Sequence, residues 1–285
     1  MKPRPLISRT FIESLLKLTR FGNLIIIGLA QYFTAGFLIA MHTLNDFKLF
    51  LLSVSTICIA AGGYIINDYY DVKIDYINKP DRVIIGKSIT RRYAILFHVV
   101  LSSIGILLGL YLSWRIAAVN VVSVFLLWFY SNNLKRLPFV GNFTVAFLTG
   151  LSIFLVDLFY RTLNSLVIIY AVFAFFMTLV REVIKDMEDL KGDNSFGCRT
   201  LPIVWGIRKT KILIYIILIV FAGIVIVLNQ LYQALPFKYH LIFLFVPLLW
   251  LLYRLTRADM KKDFTRLSIF CKLIMMLGIL SMAFM

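Results

Sequence analysis

The chain has 285 residues, 61% of them hydrophobic and only 15% charged, and a mean hydropathy of +0.88. This is far too apolar for a water-soluble domain and places the chain in a bilayer, with room for many spans of about 20 residues each. Its formal charge of +16 would suggest nucleic acid in a soluble protein, but here the basic residues sit on the loops between apolar runs, where membrane topology accounts for them, so no nucleic-acid partner is expected.

In chain order, residues 10 to 20 read TFIESLLKLTR, with Thr10 and Glu13 spaced as a capping box and Phe11, Ile12, Leu15, Leu16 and Leu18 favouring one side. The segment 1–22 is therefore expected to include a helix lying on the inner membrane surface. The first apolar run follows basic residues but lacks a small-residue cleavage site and runs long for a signal peptide, so it is read as a retained span. Nine transmembrane helices are expected, over 24–41, 48–66, 94–113, 116–131, 139–156, 162–180, 212–228, 237–253 and 267–285. The fourth is short and depends on Arg115 snorkelling at one end.

Counting from the N-terminus, alternate loops carry 25 of the 30 Lys and Arg residues. Cytoplasmic loops hold such an excess, so the N-terminus is placed in the cytoplasm and, with nine crossings, the C-terminus outside. The chain reads as an all-α, multi-pass protein of the cell (inner) membrane. No low-complexity linker divides it, and residues 1–285 form one expected domain. Cys58, Cys198 and Cys271 make no disulfide framework and no metal-like spacing, and are read as packing residues.

Two stretches stand out against the hydrocarbon. NDYYDVKID carries Asp68, Asp71 and Asp75, and DMEDLKGD carries Asp186, Asp189 and Asp193; both read D-x-x-D-x-x-x-D and together use six of the 14 acidic residues. Each starts where an apolar run ends, so each extends a helix into the cytoplasmic interface. Positions i, i+3 and i+7 share one helix face, which points three carboxylates together. The copies lie 118 residues and four predicted helices apart, a spacing that suggests a duplicated half with two acidic helices facing one cavity.

Two unit charges about 4 Å apart repel by roughly 4 kcal/mol at an effective dielectric near 20. Converging carboxylates therefore call for cations, and Mg²⁺ held by a few carboxylates implies a phosphorylated ligand. Two other readings stay open: six solvated helix ends with no common target, or a transporter whose acidic helices conduct divalent ions. Against transport, the acids cluster on one face only. Lys73, Lys79 and Arg82, Lys135 and Arg136, and Arg181, Lys185 and Arg199 flank the motifs and have the chemistry to clamp a diphosphate, although the positive-inside bias explains most loop cations.

NDYYDVKID followed by NKPDR, with REVIKDMEDLKGD, GCRTLP and YSNNLKRLPFVGN, resembles the UbiA superfamily of intramembrane prenyltransferases over nearly the whole chain. The resemblance implies a helical bundle around a central cavity in which Mg²⁺ on the two Asp motifs binds a prenyl diphosphate. Within the superfamily, the "RE" before and "GD" after the second motif, and KLTRFGNLIIIGLAQY near the N-terminus, are most similar to digeranylgeranylglyceryl phosphate synthases, which add a second ether-linked prenyl chain to a glycerol phosphate. The expected reaction is then Mg²⁺-dependent transfer of a geranylgeranyl group from prenyl diphosphate to a prenylated glycerol phosphate, a step of phospholipid biosynthesis. Transfer to an aromatic acceptor, as in quinone or haem-type biosynthesis, is the closest alternative. Where the family continues after NKPDR with a proline-rich stretch, this chain has Val83, Ile84, Ile85, Gly86 and Lys87, which changes the covering loop.

On this reading Asp68, Asp71, Asp186 and Asp189 are the catalytic metal ligands, with Asn67, Asp75 and Asp193 supporting through waters, and Arg82, Lys135 and Lys185 on diphosphate oxygens. Asn23 resembles a family position lining the substrate cavity, or else it caps or ties its helix. Tyr64, Tyr69, Tyr70 and Tyr130 lie near the motifs in sequence and could shield an allylic cation, with packing as the simpler role. His42, His98 and His240 are scattered and support no His-based catalytic pair.

Overall fold

In hydrocarbon every backbone N–H and C=O must be satisfied within the chain, so apolar runs of this length close as helices. The computed structural model describes residues 9–232 and 237–285, with side chains throughout these except at positions 9, 10, 82, 232 and 237–244. Among the described residues there is no strand, only an isolated bridge between Ile85 and Ile89. The helices are α1 (Arg9–Leu18), α2 (Phe21–Phe33), α3 (Phe47–Asn78), α4 (Arg91–Leu112), α5 (Trp114–Asn132), α6 (Val140–Tyr160), α7 (Ser165–Ser195), α8 (Leu201–Tyr232), α9 (Phe237–Thr256) and α10 (Lys261–Ser281). Eight candidate spans are long and apolar enough to cross a membrane, and α9 adds a shorter apolar stretch, Phe245–Thr256. The protein is an all-α, multi-pass membrane protein.

Several elements differ in detail from expectation. The short fourth run is a full span as α5, 19 residues long, with the Arg115 guanidinium 5.8 Å from the Trp114 ring at its start. The first run is not one α-helix: beyond Phe33 it widens to a π-helix over Thr34–Ile39, where Thr34 Oγ1 donates to the Ala30 carbonyl at 2.7 Å and draws on the helix ladder. The helices α3 and α7 run well past their apolar segments, to Asn78 and Ser195. The capping box expected from Thr10, the first eight residues and His240 fall outside the described side chains.

The chain divides into two compact units, Met1–Gly28 with Phe50–Asn132, and Leu29–Leu49 with Asn133–Met285. In the first, α3, α4 and α5 are tied by a buried polar knot. Asn120, 2% exposed, donates through Nδ2 to Ser55 Oγ (2.8 Å) and to the Gly105 carbonyl (2.9 Å), and Ser55 Oγ donates to that same carbonyl at 2.7 Å. Such bonds join helices where lipid supplies no hydrophobic drive. Asn120→Ala is therefore expected to lower stability by about 1 kcal/mol, read as a lower midpoint on detergent denaturation; an unchanged midpoint would show that the knot carries no weight.

In the same unit, the Ile-rich stretch after NKPDR acts as an apolar plug. Ile85 and Ile89 are 1% and 2% exposed and pack with Leu18 of α1, Ile65 of α3 and Ala94 of α4. Gly86, at φ 90°, makes the turn between them, and its N–H donates to the Ile89 carbonyl at 2.8 Å. The loop is thus pinned beneath the first acidic motif and against α1, whose Ile12 and Leu16 stay exposed.

The second unit is built around α7. Its Met177, Val180, Val183 and Ile184 pack against Phe221 of α8, Leu251 and Leu255 of α9, and Phe264 and Cys271 of α10. The backbones of α6 and α7 come close at Gly150, where a Cβ would lie 2.9 Å from the Ala171 carbonyl oxygen. All three cysteines are free, with Cys198 and Cys271 buried.

Candidate active site

Both acidic motifs lie on continuous helix. Nothing in NDYYDVKIDYIN breaks α3 until Pro80, which cannot donate a backbone hydrogen bond, and Lys79 N closes the end by donating to the Asp75 carbonyl at 2.8 Å. The helix α7 ends the same way after its motif: Gly197 takes φ 70°, and Cys198 N donates to the Asp193 carbonyl at 3.0 Å. The triplets therefore form stripes on the last turns of two long helices, as their spacing requires.

On α3, Asp71 is buried and Asp68 and Asp75 are half-buried. Asp68 Oδ1 accepts from Arg20 Nη2 at 2.7 Å. The Arg20 guanidinium lies 4.9 Å from the Tyr64 ring centroid, and the Tyr64 hydroxyl accepts from Asn23 Nδ2 at 3.4 Å. The junction of α1 and α2 is thereby fastened to the start of the first motif. Asn67 stands beside Asp68, and its Oδ1 is shut off from solvent without a hydrogen-bond donor among the described residues. Tyr69 carries the Arg91 guanidinium 5.1 Å from its ring and packs edge-on to Tyr70 at 5.4 Å. Arg82 closes the short turn Pro80–Arg82 directly after α3; its side chain lies outside those described.

On α7, Asp186 Oδ2 accepts from Asn142 Nδ2 at 2.9 Å, which ties the second motif to the first turn of α6. One turn earlier on the same stripe stands Glu182, 7% exposed. It pairs with Arg181 at 2.6 Å and with Lys185 at 3.2 Å, so Lys185 rests on a carboxylate of its own helix. Lys135 sits in the 3-10 turn Leu134–Arg136. That turn presses on α6, where a Cβ on Gly141 would fall 2.8 Å from the Lys135 Cα, and the Arg136 carbonyl accepts from Arg199 N at 2.8 Å. The fold thus joins Lys135 to the segment following the second motif.

The sequence singled out Asp68 and Asp186 but not their partners. Arg20 and Asn142 lie 48 and 44 residues from the carboxylates they bond, and no local pattern announces them. Glu182 could have been found: it lies four residues before Asp186 and seven before Asp189, which puts it on the same helix face.

Among the described residues no three His, Cys, Asp or Glu side chains form a ready-made metal cage. Mg²⁺ keeps waters and takes one or two carboxylates together with substrate phosphates. Each stripe by itself offers carboxylate oxygens of the kind a hard cation takes, and on α3 the undonated Asn67 Oδ1 stands beside Asp68.

Comparison with known proteins gives a consistent result. The model of the UbiA prenyltransferase family matches residues 29–276, across both compact units. Digeranylgeranylglyceryl phosphate synthase of Saccharolobus solfataricus is 39% identical over 216 residues, 73% of this chain and 76% of that one. The synthase of the same name from Methanosphaera stadtmanae is 32% identical over 244 residues, 85% of this chain and 89% of its own length. Among solved structures, one of digeranylgeranylglyceryl phosphate synthase in membranes superposes with a TM-score of 0.73 at 24% identity, covering 96% of this chain and 98% of that one. A UbiA homologue from Archaeoglobus fulgidus bound to DMAPP and Mg²⁺ gives a TM-score of 0.60 at 16% identity, covering 95% and 99%. These two show a shared fold.

Proposed function

The chain belongs to the UbiA prenyltransferase family, and from that premise we propose that it transfers a geranylgeranyl group from its diphosphate to the free hydroxyl of a prenylated glycerol phosphate, forming an ether lipid. The observation that carries the chemistry is the pair of Asp stripes at the ends of α3 and α7. The choice of acceptor is supported by the relatives of 32% to 39% identity, which are synthases of this type.

In this reading Asp68, Asp71, Asp186 and Asp189 hold Mg²⁺, and Asn67, Asp75 and Asp193 support it through waters. Bound Mg²⁺ supplies the positive charge that stabilises the departing diphosphate. Asn142 orients Asp186 by donating to one of its oxygens, which leaves the other for the ion. Arg82, Lys135 and Lys185 meet diphosphate oxygens, with Lys185 moving from Glu182 to do so. Asn23, through Tyr64, sets the wall of the site beside the first motif. Apolar side chains of the spans keep water from the allylic carbon, which would otherwise be captured as an alcohol.

The excess of Lys and Arg on alternate loops supports a cytoplasmic N-terminus and a cytoplasmic active-site face. The family match across both units supports treating residues 1–285 as one functional domain. Membranes carrying the protein, supplied with Mg²⁺, geranylgeranyl diphosphate and either geranylgeranylglyceryl phosphate or an aromatic acid, are expected to yield a di-ether product by mass spectrometry from the first acceptor alone. Alkylation of the aromatic acid alone would replace this acceptor assignment with the quinone-type one.

A further inference from the structure

Arg20 stands where α1 gives way to α2, with a φ of 52° in the left-handed region that few L side chains occupy. The joint is closed by its own backbone: Arg20 N donates to the Lys17 carbonyl at 3.1 Å, and Asn23 N donates to the Arg20 carbonyl at 2.7 Å. Such backbone conformations persist where the surroundings hold them, and cluster at ligand clamps and switches. Here the side chain reaches Asp68 Oδ1 at 2.7 Å and lies over the Tyr64 ring at 4.9 Å.

We propose that Arg20 is the resident cation of Asp68, occupying that carboxylate until a divalent ion binds and then being exchanged off it. The proposal rests on Asp68 being a metal ligand, as assigned above. A dication on Asp68 and a guanidinium on the same oxygen would be two cations within a few ångströms, and their repulsion makes the two states mutually exclusive. A second seat exists for the displaced guanidinium. The negative face of the Tyr64 ring already lies beneath it, and Asn23 holds that ring by its hydroxyl. Arg20 would therefore remain beside the motif, where its planar fork suits a phosphate oxygen. By linkage, whatever holds Arg20 on Asp68 weakens metal binding by the factor with which metal weakens the ion pair.

The test uses the full chain in nanodiscs, without prenyl diphosphate, titrated with Mn²⁺ and followed by electron paramagnetic resonance. Arg20→Gln is expected to bind Mn²⁺ about fivefold more tightly than the wild type, the weight of one partly screened ion pair. Equal or weaker binding overturns the exchange. Asp68→Asn is measured alongside: if it keeps wild-type Mn²⁺ affinity, the ligand assignment fails and the exchange falls with it, whereas weakened binding there with no gain in Arg20→Gln overturns the exchange alone. Should Arg20→Gln not fold, hydrogen exchange on the wild type decides. Mn²⁺ should lower amide protection over residues 17–24 as the joint loses its tie to Asp68, and unchanged or greater protection would overturn the proposal.

Discussion

Alanine at Asp68 or at Asp186 is expected to reduce prenyl transfer by roughly a thousandfold, while the protein stays membrane-inserted and helical. The size follows from the metal-holding role proposed for each carboxylate. Breaking the allylic carbon–oxygen bond places negative charge on the diphosphate, and a single preorganised group directed at such charge is worth about 10²–10³ in rate; a metal ligand acts on the same charge through a dication. The fold has little stake in either side chain. Both stand near the ends of helices, where Ala is the best helix former, and each is half-buried, so no large cavity is left. The substitutions release Arg20 and Asn142 from one hydrogen bond each, a loss of about 1 kcal/mol of stability apiece. Turnover of geranylgeranyl diphosphate, measured beside the circular dichroism of the purified protein, separates the two effects. Asp259→Ala is the control: that carboxylate is 83% exposed and paired with Lys211, and its loss should leave turnover unchanged. Wild-type turnover in either motif variant would remove that Asp from the machinery.

How much of this could be read from the chain alone depended on the range of the interaction. The spans were legible because hydrocarbon length is a property of consecutive residues, and the apolar runs correspond to α2 through α10. Their limits were not. Hydropathy falls at residues 66 and 180, yet α3 and α7 continue to Asn78 and Ser195, because neither polar tail contains a Pro and the one Gly, Gly192, is tolerated inside α7. In α8 the extension is at the N-terminal end: the helix starts at Leu201 rather than 212 and bends at Gly206, φ 77°. The acid spacing correctly put each triplet on one helix face, since that follows from the helical period. What it could not supply was the set of neighbours: Arg20 on Asp68 and Asn142 on Asp186 depend on where helices far apart in sequence come to rest. The Ile85 and Ile89 plug was visible only as a departure from a proline-rich pattern, and its meaning as an anchor for the loop came from burial.

Gly141→Ala should lower kcat/KM for prenyl diphosphate by about a hundredfold although it removes no charge and no hydrogen-bonding side chain. Gly141 sits in the first turn of α6, where an added Cβ would lie 2.8 Å from the Lys135 Cα and 2.9 Å from the Leu134 carbonyl oxygen. Both neighbours are backbone, so no flexible side chain can yield. The turn Leu134–Arg136 must move away from α6, and it cannot move alone, because the Arg136 carbonyl accepts from Arg199 N beyond the second motif. Asn142, next in the chain, holds Asp186. One methyl group therefore displaces Lys135 and strains the tether of the carboxylate proposed as a metal ligand, and a misplacement of about 1 Å in such a site is enough to cost about 10² in rate. Overpacking of this kind costs about 1–3 kcal/mol of stability, so the variant should still insert and fold. A methyl at the exposed Gly22, with nothing within 4 Å of its Cβ, is the matched control and should change neither stability nor turnover. If Gly141→Ala turns over at the wild-type rate, Lys135 is not a positioned ligand of the diphosphate, and the close approach of its turn to α6 serves packing alone.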